Sequence, residues 1–260
     1  MKTSFDIFGK EYGVMFRNDL HDHDSIDFQF IKVMILLDFE SENYLYDAKK
    51  YTVDKKITSH ELYDFAQSFK GETALDSINN VANYTRKIVD DYNFPFDKML
   101  FGGTEKEIIG RGTDWCTDIS RVGCALIQCL NIPCRIVMLV NSKNAYNGHT
   151  ICEAVVEGQF LMCDFTYGVY GLLDKPYSVK SLINDHKAVV KIYSEDNNLI
   201  QDIEYIVGLY DKAAFCDYDI TKTHNYSVSK TNEYYLKIMK LNHDGSWKLG
   251  ENTLKKSNSI

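Results

Sequence analysis

Apolar side chains recur with helical spacing in two long segments of the chain. The first predicts a helix over about 73–90, with apolar positions at Ala74, Leu75, Ile78, Val81, Ala82, Ile88 and Val89, and the loop before Pro95 ends it. The second predicts a helix that begins near Asp114–Cys116 and ends before Pro133, with an apolar face formed by Ile119, Val122, Leu126, Ile127 and Leu130.

Three shorter segments follow the second helix and are rich in Val, Ile and Phe. They predict strands over about 135–140, 150–157 and 159–165. Glu157-Gly158 separates the last two and is typical of a tight hairpin turn. A helix followed by a strand meander, without alternating β–α–β units, indicates the α+β class.

The flanking regions carry weaker signals. Phe28–Leu37 fits either a buried strand or a short core helix, and 60–69 has helical spacing. Glycines at 102, 103, 110 and 112 predict a loop, and further strands are expected over 190–260. The chain has three prolines and shows no repeat or Pro/Gly/Ser linker, so one domain over 1–260 is the simplest organisation, with a core at about 73–170.

Charge and composition narrow the classes of function. The chain has 260 residues with 29 basic and 37 acidic side chains, which argues against general nucleic-acid binding. The N-terminal residues lack the apolar region of a signal peptide, and 28–37 is too short to span a bilayer. Neither nucleotide-binding glycine motif occurs, so no cofactor is expected. A cytoplasmic protein without a membrane partner is therefore expected.

The cysteines are odd in number and clustered. There are seven, six of them from Cys116 to Cys163, and none is in a CxxC pair. An odd set cannot be fully paired, and the absence of CxxC argues against a zinc ribbon or a thioredoxin site. Reduced thiols are expected, and Cys124, Cys129, Cys134, Cys152 and Cys163 fit small packing residues of the core.

Cys116 differs from the other cysteines in its position. It follows a glycine-rich loop at the predicted start of the apolar-faced helix, where unpaired backbone N–H groups and the helix dipole favour a thiolate. The same N–H groups can stabilise an oxyanion. Cys116 fits either a nucleophile or a small core residue.

The predicted hairpin brings a histidine and an aspartate together. With Glu157-Gly158 as a two-residue loop, Ile151 faces Asp164, and His149 lies one diagonal step away on the same face of the sheet. A carboxylate in that position can orient an imidazole, although a buried Asp–His pair can also be purely structural. Cys116, His149 and Asp164 supply the nucleophile, base and orienting group that a thiol enzyme needs.

Two sequence blocks resemble the transglutaminase-like core. The first runs Gly-Thr-Asp-Trp-Cys-Thr-Asp over 112–118 and continues to Asn-Ile-Pro-Cys-Arg over 131–135, where the family usually has Gly-Ile-Pro-Ala-Arg. The second runs from His149 to Asp164-Phe165-Thr166, where the family usually has Asp-Pro-Thr. The resemblance covers about 73–170 and implies a papain-like α+β fold with a Cys116, His149 and Asp164 triad.

The resemblance also implies a class of reaction. A cysteine acyltransferase that forms an amide through a Cys116 thioester is expected, with an amide or thioester donor, a carrier-protein thioester among the candidates, and an amine acceptor. The alternatives are a peptidase or amidase with the same triad, a protein-crosslinking transglutaminase, and a non-catalytic binding module on the same fold.

Several further positions fit more than one role in the sequence. Trp115 fits either an acyl-site contact or a core residue, and His21-Asp22-His23-Asp24 fits a solvated loop better than a metal site because no third ligand is evident. Asp118 and Arg135 are expected to stabilise the start of the helix and of the strand that follows it, and Glu153 is expected to be structural or to lie at the rim of the site.

Overall fold

The structure, a computed structural model, describes residues 33–51, 57–93, 100–141, 148–194 and 202–222. The His21–Asp24 segment and the first part of Phe28–Leu37 lie outside these ranges. In chain order the elements are β1 (Ile35–Leu36), α1 (Glu42–Leu45), a 3-10 helix (Ala48–Lys50), α2 (Tyr63–Gln67), α3 (Ala74–Asp91), α4 (Glu105–Arg111), α5 (Cys116–Cys129), β2 (Cys134–Val140), β3 (Gly148–Val156), β4 (Gln159–Asp164), β5 (Val169–Tyr170), α6 (Val179–Ile183), α7 (His186–Tyr193), α8 (Ile203–Leu209) and β6 (Lys212–Cys216).

The strands form one antiparallel sheet in the order β1-β6-β2-β3-β4-β5. Helices α2, α3 and α5 contribute to the core on one face of the sheet, and α6, α7 and α8 contribute to the core on the other face. The chain therefore has the α+β architecture expected from the helix-then-meander pattern. None of the helices in the described ranges is long and apolar enough to cross a membrane.

The predicted central elements are confirmed with small shifts of their ends. α3 begins at a capping box in which Thr73 accepts from the backbone N–H of Asp76 and the Asp76 side chain accepts in return. The hairpin turns at Glu157 and Gly158, which have φ values of 52° and 77°, the positive pair that the tightest hairpin turn requires. Val156 consequently faces Gln159, and the register is the one expected from a two-residue loop.

One prediction outside the centre needs correction. The segment between the paired glycines is not a loop throughout, because α4 forms there with its own capping box between Thr104 and Glu107. The error comes from giving more weight to the glycines than to the helix cap at Thr104. Over 190–260, where further strands are expected, the described residues contain β6 together with the end of α7 and all of α8.

A buried ion pair holds the centre of the sheet to the N-terminal segment. The Arg135 guanidinium donates to Glu153, its cross-strand neighbour, at 3.0 and 2.5 Å, and to the Leu45 carbonyl oxygen. Rings surround the guanidinium carbon at 4.3–5.0 Å, contributed by Tyr46, Tyr51, Phe160 and Phe215. Glu153 also accepts from the Val179 backbone N–H, so it is the structural residue that the sequence predicts.

Close packing between α5 and the hairpin depends on one glycine. A Cβ atom on Gly123 would lie 2.1 Å from the Phe165 ring, which is fully buried next to Asp164. Gly123 therefore allows the helix that begins at Cys116 to approach the strand that ends at Asp164.

This contact predicts opposite effects for two helical Gly→Ala substitutions. Gly110→Ala, whose Cβ would meet nothing within 4 Å, should raise the free energy of unfolding by about 0.5–1 kcal/mol, the usual helix gain. Gly123→Ala should lower it by about 1–3 kcal/mol because the methyl group overpacks the interface. Urea denaturation of both variants tests this, and a stabilised Gly123→Ala protein would contradict the packing described above.

Candidate active site

Cys116 lies at the first residue of α5 and is partly exposed, whereas the other six cysteines are buried free thiols. Trp115 is the N-cap residue, has extended backbone, and makes no side-chain capping bond. The first N–H groups of a helix have no partner within the helix, so the absence of a side-chain cap leaves the thiol beside backbone donors. Cys116 thus combines access with a position that stabilises negative charge.

The start of α5 is fixed against β3 next to His149. The Thr117 and Thr150 hydroxyl oxygens lie 3.1 Å apart, and the Ser120 hydroxyl donates to the Thr150 carbonyl oxygen at 2.7 Å. Because Thr150 directly follows His149, these contacts hold the first turn of the helix at the end of the strand that carries the imidazole.

His149 and Asp164 form a buried pair. His149 Nε2 lies 2.8 Å from Asp164 Oδ2, and the exposed fractions are 7% for His149 and 0% for Asp164. Burial lowers the pKa of His149, but the charge and hydrogen bond of Asp164 and then the interactions with Cys116 raise it to about 10. Since Asp164 occupies Nε2, Nδ1 is the ring nitrogen left to face Cys116. The structure therefore brings Cys116, His149 and Asp164 together.

Asp164 is held by four donors. Oδ2 accepts from His149 and from the Tyr193 hydroxyl at 2.8 Å, and Oδ1 accepts from the backbone N–H groups of Thr166 and Tyr167 at 3.1 and 3.3 Å. Bonds to both oxygens from backbone and side chains fix the rotation of the carboxylate. The imidazole of His149 is consequently held in one orientation.

Tyr193 continues a hydrogen-bond chain that the sequence analysis did not identify. Its hydroxyl lies 3.0 Å from the Tyr210 hydroxyl, and both side chains are completely buried. Because Tyr193 donates its one proton to Asp164, Tyr210 must donate to Tyr193. Burial raises the pKa of each tyrosine well above its usual 10, so both remain neutral donors. We call Tyr210, Tyr193 and Asp164 the tyrosine relay.

Two tyrosines belong to the surroundings of the site. The Tyr167 ring centroid lies 5.3 Å from that of His149, and Tyr205 is 42% exposed. Burial and then the charge of Cys116 raise the pKa of Tyr205. These rings come from outside the two sequence blocks or from their margin, and no sequence pattern had marked them.

Trp115 is half-buried and packs against the loop before α4. Its ring makes an edge contact with Phe101 at a centroid distance of 4.9 Å, and Phe101 is 1% exposed. Its backbone N–H donates to the Thr113 hydroxyl oxygen at 3.0 Å, which shapes the turn before Cys116. Trp115 is therefore not a fully buried core residue, and a contact between Trp115 and substrate stays a prediction.

A second buried ion network holds the loop before α4 against α5. Asp118 accepts from the Gly102 backbone N–H at 2.9 Å and from Arg111 at 2.8 Å, and the fully buried Arg121 donates to Glu105 at 3.0 Å. Burial raises the pKa of Asp118, and Arg121 and Arg111 act against that rise. Asp118 therefore anchors the helix start, as the sequence indicates, and lies in the first turn with Cys116 without joining its chemistry.

The sequence also matches a known protein family. The family described as a transglutaminase-like domain matches residues 27–193, more than half of the chain. The chain belongs to the transglutaminase-like family. No curated protein and no solved structure gives a significant match. The family match begins before and ends after the core expected at 73–170, so it also covers α7 and Tyr193. Membership confirms the papain-like α+β fold and a cysteine-enzyme family.

The charge state of His149 provides a direct test of the transglutaminase-like site. Its pKa of about 10 exceeds the ordinary 6.5, so protonation stabilises the fold fully below pH 6.5, and this stabilisation is lost as pH rises through 10. NMR titration of the imidazole should show this value in the wild-type protein and a clearly lower one in Asp164→Asn. The exposed Asp174→Asn is the control. A wild-type midpoint near 6.5 would refute the buried ion pair.

Proposed function

We propose that this transglutaminase-like protein is a cysteine acyltransferase that forms an amide bond through a thioester on Cys116. The observation that supports this most directly is one accessible thiol at an uncapped helix start, in contact with a buried His149–Asp164 pair. A binding module has no requirement for this arrangement.

The roles in acylation follow from position and charge. The Cys116 thiolate attacks the carbonyl carbon of an amide or thioester, and the Cys116 backbone N–H stabilises the oxyanion. His149, protonated at neutral pH, gives its proton to the departing amine or thiol. Asp164 and the tyrosine relay keep the imidazole in place and balance its charge.

In the second half-reaction an amine takes the acyl group. His149 accepts the amine proton as the nitrogen attacks the thioester carbonyl, and the Cys116 thiolate leaves with the imidazolium restored beside it. The Tyr167 ring beside His149 supports transfer, because a ring that covers part of the site reduces access of water to the thioester. We include a carrier-protein thioester among the donors.

Hydrolysis is the second candidate function. Cys116 is partly exposed to solvent, and this observation favours a peptidase or amidase in which water replaces the amine. Protein crosslinking needs the same triad and differs only in taking a glutamine donor and a lysine acceptor. Product analysis separates the three.

The first test concerns the nucleophile. Incubation of the protein with a panel of peptide amides and acyl thioesters should give a covalent adduct at Cys116 in intact mass spectra, and Cys116→Ala should reduce acylation by about 1,000-fold or more. Cys129→Ala, which changes a buried thiol of the same helix, is the matched control and should react as the wild type does. Equal turnover by wild type and Cys116→Ala would refute the assignment, and added amines then show whether amide or free acid forms.

The second test concerns the tyrosine relay as a positioning device. Tyr193→Phe removes one donor to Asp164 and should lower the acylation rate about tenfold, the effect of about 1–2 kcal/mol, without changing KM for the donor. Tyr210→Phe, one hydrogen bond further away, should have a smaller effect. The pH–rate profile of Tyr193→Phe should shift as well. An unchanged profile together with equal losses in both variants would indicate only general destabilisation.

A further inference from the structure

Three buried thiols away from the active site lie unusually close together. Cys124 comes from α5, Cys134 from β2 and Cys152 from β3, and their sulfur atoms all lie within 4.8 Å of one another. All three lie in the core between α5 and the sheet, whereas the pairing register places the His149 and Asp164 side chains on the opposite face of the sheet. We call Cys124, Cys134 and Cys152 the thiol cluster.

The spacing of the sulfur atoms suits a bound metal ion. A point among three sulfurs at these separations lies within about 2.8 Å of each, and a zinc–sulfur bond is about 2.3 Å long. Side-chain movements of about half an ångström or less would close the coordination shell. Each ligand comes from a different element, so an ion here would cross-link the helix that carries Cys116 to two strands.

The surroundings of the thiol cluster resemble an outer coordination shell. The Gln128 amide nitrogen donates toward Cys124 Sγ at 3.4 Å and to the Cys134 carbonyl oxygen at 2.7 Å. Cys152 donates its thiol proton to the Ser120 carbonyl oxygen at 3.2 Å, and Cys124 hydrogen-bonds with both other thiols. The Gln128 donor to Cys124 Sγ is of the kind that holds a ligating sulfur in place in metal sites, whereas the Cys152 thiol would exchange its proton for the ion.

The donor set selects for soft ions. The cluster offers sulfur only, without a carboxylate or imidazole, and thiolates prefer Cu(I) and Zn(II) to hard ions such as Mg(II) or Ca(II). Three sulfurs suit Cu(I), whereas structural Zn(II) takes four ligands. Cys216 is a candidate fourth ligand, since it lies opposite Ile136 in the sheet, shares the same core and interacts electrostatically with Cys124.

We propose that Cys124, Cys134 and Cys152 form a structural site for a soft metal ion, Cu(I) or Zn(II), separate from the catalytic thiol. Each thiol that ligates the ion loses its proton to solvent, and no electron is transferred. The proposal does not depend on the function assigned to Cys116, which lies eight residues before Cys124 on the same helix, about 12 Å along its axis.

The test measures metal content in the full chain. Protein produced in medium supplemented with zinc or with copper is passed through a desalting column, and bound metal is measured by plasma mass spectrometry and native mass spectrometry. Wild type, Cys116→Ala and Cys129→Ala should each carry about one ion, whereas Cys124→Ala and Cys152→Ala should carry less than about a tenth of that. Cys216→Ala should lose zinc but keep copper if Cys216 is the fourth ligand.

Two outcomes would overturn the proposal. One is wild-type protein without a stoichiometric ion from either medium, and the other is equal metal loss in Cys129→Ala and Cys124→Ala. If the cluster variants do not fold, wild-type protein produced with cadmium decides the question. Thiolate-to-metal charge-transfer absorption with one cadmium per chain supports the site, and its absence refutes it. Cys116→Ala lacks the nucleophile but keeps the thiol cluster, so metal bound to this variant shows the site whether or not acyl transfer is found.

Discussion

The pairing register of the β3–β4 hairpin is the constraint on which the active site depends. A turn of two residues with positive φ at Glu157 and Gly158 fixes which residues face each other along both strands. One residue more or fewer would move Asp164 to the other face of the sheet and away from His149. On the other side of β3, the separate β2–β3 register places Arg135 opposite Glu153 and so forms the main buried ion pair of the sheet.

α5 packs on one face of the sheet, and its first turn lies at the strand end that carries a catalytic side chain of the opposite face. Its apolar side packs on the face that carries Cys152 and Ala154, while its first turn extends to the end of β3, where His149 belongs to the opposite face. The start of α5 therefore lies at the end of β3, where the Cys116 thiol can meet the His149 imidazole from the other face of the sheet. Gly123 permits this approach because it has no Cβ to contact Phe165.

Burial explains why the polar groups of the site are so fully connected. Asp164, Tyr193 and Tyr210 have no exposed surface, and an unsatisfied polar group in such a position costs about 1–3 kcal/mol. The Tyr210 hydroxyl donates to Tyr193 and the Tyr193 hydroxyl donates to Asp164, so each of these groups has a hydrogen-bond partner. The protonated His149 balances the charge of Asp164. Asp118 and Arg121 follow the same rule at the base of α5. The transglutaminase-like core thus keeps its buried charges in pairs.

The sequence by itself determined the elements whose hydrogen bonds are local. Helical periodicity located α3 and α5, and the Glu157-Gly158 turn fixed the hairpin and with it the His149–Asp164 pair, because a two-residue turn leaves one register. Thr104 and Glu107 have the spacing of a capping box and so indicate the start of α4, although the adjacent glycines favoured a loop. Tertiary structure alone decided the tyrosine relay and the thiol cluster. Tyr193 lies 29 residues after Asp164, and Cys124 and Cys152 lie 28 residues apart, so their contacts arise from how helices pack on the sheet and leave no periodic signal in the chain.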